Sequence, residues 1–148
     1  MKPNVGKTIL GGFVGTLAMT LMMYKIGPMM GMMKMDIAAM LGKMLGSWTM
    51  GMMMHFINGT IIFPLIYAFL LFHLLSGPPV VKGLIWGALL WLVAQLMVMP
   101  MMGGGVFSSK MGGMTAVVGS FVGHIVYGAL LGLIAGAGNP SKTVRQPA

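Results

Sequence analysis

Residues 80–102 read VVKGLIWGALLWLVAQLMVMPMM, an apolar run in which Lys82 is the only charge. A hydrocarbon core about 30 Å thick takes roughly 20 such residues per helical crossing, so this segment reads as a transmembrane helix. Three further stretches have the same character: Gly6–Ile26, Gly51–Leu75 and Met114–Ala137. Composition agrees: of 148 residues, 57% are hydrophobic and 7% charged, with a mean hydropathy of +0.93. The predicted fold class is therefore all-α, an integral membrane protein with four crossings arranged as two tandem helical hairpins, a single domain over residues 1–138.

Between the first two crossings, Ile37, Met40, Leu41, Met44 and Leu45 recur at helical spacing behind Asp36, a natural N-cap. Residues 36–47 are too few to span a bilayer and predict a short amphipathic helix in the interface, with Trp48 as a headgroup-level anchor. Residues 139–148, with Pro140 and Pro147, predict a disordered polar tail. Lys2 and Lys7 ahead of an apolar run can mimic a secretory signal, but the segment has a partner later in the chain and is read as a helix.

That partner is the third crossing. Gly12 matches Gly87, Thr20 matches Gln95, Met22 matches Met97, and both crossings run into Pro-Met-Met-Gly, at Pro28–Gly31 and Pro100–Gly103. The second and fourth crossings each carry a His-apolar-apolar-x-Gly frame, from His55 to Gly59 and from His124 to Gly128. An internal duplication follows, with a pseudo-two-fold axis along the membrane normal. Thr20, His55, Asn58, Gln95 and His124 then form a polar layer facing the bundle interior, where ionisable groups in lipid are driven. Small residues four apart, such as Gly83 with Gly87 and Gly128 with Gly132, provide ridges on which helices can pack closely. Pro64 should bend the second crossing.

Several function classes drop out. Cysteine is absent, so thiolate metal sites and thiol nucleophiles are excluded. Asp36 is the only acid, which argues against hydrolases, carboxylate proton relays and carboxylate-ringed pores. The net charge of +8 is scattered through loops and tails and forms no basic stripe, so the bilayer and its anionic headgroups are the expected partner and nucleic acid is not. Lys2, Lys7, Lys82, Lys142 and Arg145 on one side outnumber Lys25, Lys34, Lys43 and Lys110 on the other, a count that favours cytoplasmic termini.

Two candidate ligand sets remain. Thioethers are soft donors for copper(I) that need no deprotonation, and Met29, Met30, Met32, Met33, Met52, Met53, Met54, Met99, Met101 and Met102 collect, with His55, at one end of the bundle. The competing reading is packing, since methionine is a flexible hydrophobe suited to helix ends. His55 and His124, in matching frames, can act as a cofactor-binding pair for haem iron, join the sulfurs around copper, or serve as interhelical hydrogen bonders.

With a Gly-rich first helix, a His-led second, a third ending in Met99-Pro100 and a fourth reading His124 to Gly128, residues 5 to 137 resemble a family of small uncharacterised four-helix bacterial membrane proteins. The resemblance implies the fold and no chemistry. The leading expectation is a non-enzymatic binding or accessory module, including a small subunit of a larger membrane complex or a homo-oligomer. Copper(I) binding or transport and haem binding are the alternatives.

Overall fold

The computed structural model describes residues 3–32 and 34–136, and no strand occurs among them. Met33 and the tail expected to be disordered lie outside the described residues. Four helices are long and apolar enough to cross a membrane: α1 (Val5–Met29), α3 (Trp48–Leu74), α4 (Pro79–Met101) and α5 (Gly113–Gly136). The short α2 (Ile37–Leu45) lies between α1 and α3. The starts are fixed by side chains that satisfy free amides. Asn4 accepts from Lys7 N at 3.0 Å, Asp36 from Ala39 N at 2.9 Å and Ser47 from Met50 N at 3.2 Å. Pro79 opens α4, where its missing N–H costs nothing.

Prolines inside the crossings are absorbed by wide turns. Ahead of Pro28, Pro64 and Pro100, the residue just before each proline sends its N–H five residues back: Gly27 to Met22, Phe63 to Asn58 and Met99 to Ala94. A proline ring collides with the carbonyl four residues earlier, and one π-helical turn moves that carbonyl aside. Beyond Pro64 the helix continues to Leu74. A fourth wide turn, Tyr67–Leu71, has no proline behind it. Phe63 N–H no longer serves Gly59 O, and Tyr127 Oη donates to that carbonyl at 2.7 Å. The altered helix of α3 thereby creates the acceptor that pins α5.

The ends of α1 and α4 fold alike. Met30 and Met102 have φ/ψ of −88°/9° and −89°/7°, and Gly31 and Gly103 follow in the left-handed region at φ 78° and 81°. Glycine is the residue that enters that region without a Cβ penalty, and it stops both helices at the same point of the tetrapeptide.

α5 packs between α1 and α4, and α1 also packs on α3. Small residues permit this. A Cβ on Gly11 would lie 3.2 Å from Leu131 Cα, one on Gly15 would lie 2.8 Å from the Tyr127 ring, and one on Gly83 would lie 2.8 Å from Gly132 Cα. Tyr67, Phe72, Trp86, Leu90, Tyr127, Leu131 and Ala135 fill the core beside them. α3 meets α4 chiefly at this same end, around Tyr67–Leu71. Tyr67 Oη donates to Pro79 O at 3.2 Å, and Lys82 Nζ donates to Phe72 O at 2.7 Å. Towards the other end α3 and α4 diverge. The outward faces, with Leu10, Leu17, Phe69, Leu92 and Leu133 exposed, are apolar and suited to lipid.

Candidate functional site

The divergence leaves a cavity of about 480 Å³ walled by α1, α3, α4 and α5. α2 contributes Ile37, Met40 and Leu41 to its wall, while Met44 and Leu45 of the same helix are exposed. His55, Asn58, Gln95 and His124 all reach this cavity, each from a different position along α3, α4 or α5. No lysine, arginine, aspartate or glutamate lines it among the described residues.

Each imidazole has one nitrogen engaged by a hydrogen bond. His55 Nε2 lies 3.0 Å from Thr20 Oγ1, a hydroxyl that also donates to Thr16 O at 2.7 Å. With that proton on Thr16 O, His55 Nε2 donates to Thr20 and Nδ1 keeps the lone pair. His124 Nδ1 lies 2.7 Å from Ser120 O, a carbonyl that cannot donate, so the proton sits on Nδ1 and the lone pair on Nε2. Among the described residues no hydrogen bond engages either lone pair. Each neutral ring thus presents one unused acceptor nitrogen.

The expected polar layer is divided. Thr20 reaches the cavity only through His55 and itself lies in a shallow outer groove with Tyr24, Trp48 and Met52. Gln95 is buried on the cavity wall, and its Oε1 accepts from Ser108 Oγ at 2.9 Å. The methionines divide as well. Met30, Met32, Met99 and Met102 line the cavity, though Met30 is itself largely exposed. Met29 is 86% exposed, and Met53 and Met101 are also exposed. Met54 is half-buried but lines neither the cavity nor the groove, and Met33 lies outside the described residues.

Five further methionines, Met19, Met22, Met23, Met35 and Met40, complete a set of nine on the cavity wall. Met19, Met22, Met23, Ile26 and Met30 fall on one stripe of α1, a signal that helical spacing carries and that clustering in sequence hides. Among the described residues no three His, Cys, Asp or Glu side chains gather to hold a metal.

The model of a family of unknown function, DUF6789, matches residues 3–145. The chain belongs to DUF6789. No curated protein and no solved structure matches it. The DUF6789 match spans all four crossings, so the whole cavity lies within it.

Two tertiary contacts in this DUF6789 chain tie elements of the cavity wall to their neighbours. The first is at Asp36, which caps α2 and also accepts hydrogen bonds from Tyr24 Oη and, at 3.2 Å, from Trp48 Nε1. One carboxylate therefore joins α1, α2 and α3. Partial burial would raise its pKa, but the bonds from Tyr24, the Ala39 amide and Trp48, with the Lys34 charge, hold it below the ordinary carboxylate value. The second is in the loop before α5. Phe107 and Ser108 both adopt left-handed backbone, at φ 48° and 51°, which is costly for residues with a Cβ. The Ser108–Gln95 bond and the edge contact of Phe107 with Trp91, centroids 5.9 Å apart, hold them there.

Proposed function

We propose that this protein is a non-enzymatic binding module whose ligand occupies the cavity inside the membrane. The observation that carries the reading is the cavity itself. Its volume falls in the range of ligand sites, roughly 300–1,000 Å³, and such sites pair apolar walls with a few convergent polar groups. Among the described residues no charged side chain lines the wall, which sets the ligand class: a neutral molecule, or a soft cation that takes uncharged thioether and imidazole ligands, is accommodated, whereas an anion or a hard cation would find no charged partner. The matching ends of α1 and α4 support, within the same reading, a scaffold descended from one duplicated hairpin.

The test is ligand retention. Protein purified in mild detergent is extracted and its bound small molecules and metals are identified by mass spectrometry, beside an Ala94→Phe variant that fills the cavity from α4. We expect near-stoichiometric ligand in the wild type and its loss in the variant, with both eluting as folded protein. A wild type that carries nothing above the lipid background, and whose melting temperature no added organic or metal ligand raises, would reject the reading.

A further inference from the structure

Resting on the binding reading, the geometry points to a copper(I) site formed by His55 Nδ1, His124 Nε2 and thioethers of the cavity wall. Two independent observations meet here. The first is the hydrogen bonding behind each ring. Metal-ligating histidines characteristically donate their other N–H to a carbonyl or similar acceptor, which fixes tautomer and orientation. His124 does so to Ser120 O, and His55 Nε2 is paired with a threonine hydroxyl that is itself tied to Thr16 O. Each ring is thus oriented through one nitrogen, and its other nitrogen has no hydrogen-bond partner among the described residues.

The second observation is what else lines the space. Nine methionines and no charged side chain share the cavity with the two imidazoles among the described residues. Hard divalent ions need oxygen ligands, and structural zinc is usually held by thiolates and imidazoles. A monovalent soft ion is served by thioether and neutral imidazole alone, and its single charge is the least costly to bury. Methionine has three rotatable bonds, so thioethers can close on an ion smaller than the cavity. Met32, from the segment before α2, and Met102, just past the end of α4, both line it.

Anaerobic titration of the purified full chain with copper(I), against a chromophoric copper(I) chelator, tests the assignment, with silver(I) as a redox-inert second probe. We expect one equivalent withdrawn from the chelator, and mixed nitrogen and sulfur coordination by X-ray absorption. His55→Ala and His124→Ala should each weaken binding at least tenfold. Thr20→Val, which removes the hydroxyl behind His55 together with its bond to Thr16 O, should weaken it about 10- to 100-fold with the same elution profile. The double change Met29→Leu and Met101→Leu, at exposed positions away from the cavity, should leave affinity unchanged.

Failure to take copper(I) or silver(I) from the chelator overturns the assignment. So does binding that survives both histidine changes. A Soret band, or a hydroxyl-bearing lipid recovered in place of metal, also overturns it while leaving the binding module standing. An empty cavity in every assay rejects both.

Discussion

The two ends of the bundle are built from the same helices in the same solvent, yet one is closed and the other hollow. At the closed end, Gly11, Gly83, Gly128 and Gly132 let backbones touch, and Lys82 and Tyr67 bind α3 to α4. At the hollow end the inward positions carry methionine, and α3 and α4 separate around the cavity. Burial of apolar surface does not explain the difference, because lipid is as apolar as the protein interior. What differs is how near the backbones can come. Glycine converts proximity into dispersion contacts and interhelical hydrogen bonds, whereas a long flexible side chain holds the helices apart and leaves its own packing adjustable.

The sharpest way to break this contrast is to place a side chain at the closed end. Gly83→Leu forces a branched chain against Gly128 O and Gly132, and we expect a loss of about 3 kcal/mol or more, seen as a collapsed melting temperature or loss of the monodisperse peak in detergent. Gly119→Ala at the hollow end is the counterpart: its Cβ would meet only Met32 Sδ at 3.4 Å, so stability should stay within about 0.5 kcal/mol. Equal costs at the two sites would erase the distinction.

Tyr127→Phe probes the boundary between the ends. It leaves Gly59 O, already deprived of Phe63 N–H, without a donor, and should cost about 1–3 kcal/mol in thermal unfolding.

Asp36→Ala opens the hollow end alone. It removes the cap of α2 and both side-chain ties, and should cost about 1 kcal/mol, with faster amide exchange confined to α2 and the start of α3. Because the folded pKa of Asp36 is depressed, its contribution is present above the unfolded value near 4 and fades as pH falls through the folded value. Trp48 emission, read in a Trp86→Phe, Trp91→Phe background, should therefore shift only below about pH 4. A transition centred near neutrality would place control of the latch elsewhere.

A small effect on stability is also expected from Met32→Leu combined with Met102→Leu. Swaps that conserve volume cost under about 1.5 kcal/mol. Stability should barely move while copper(I) affinity falls, and a fall in stability with unchanged affinity would return these methionines to packing.

Much of this arrangement is visible in the sequence, though unevenly. Asp36 is recognisable as a cap because the signal is local, four positions wide at most. Its bonds to Tyr24 and Trp48 join residues 12 apart on either side and depend on how α2 folds back. The histidines stand out by their matched frames, but which nitrogen each leaves free depends on Thr16 O and Ser120 O, carbonyls that no residue type announces. Met29 and Met101 belong to the densest methionine clusters and still point outward. Successive positions on a helix are turned by about 100°, so neighbours in sequence leave on different faces. Met19 and Met40, isolated in the chain, reach the cavity for the same reason.

By itself the sequence determined that this chain forms four apolar helices with a short amphipathic one between the first two, because a bilayer demands length, hydropathy and internally satisfied backbone. Tertiary structure alone decided where those helices part, which face of each looks inward, and which polar atoms are left without partners. In a soluble protein hydropathy would have marked the inward faces. Here both faces are apolar, so only the meeting of glycine with backbone, and of methionine with open space, distinguishes them.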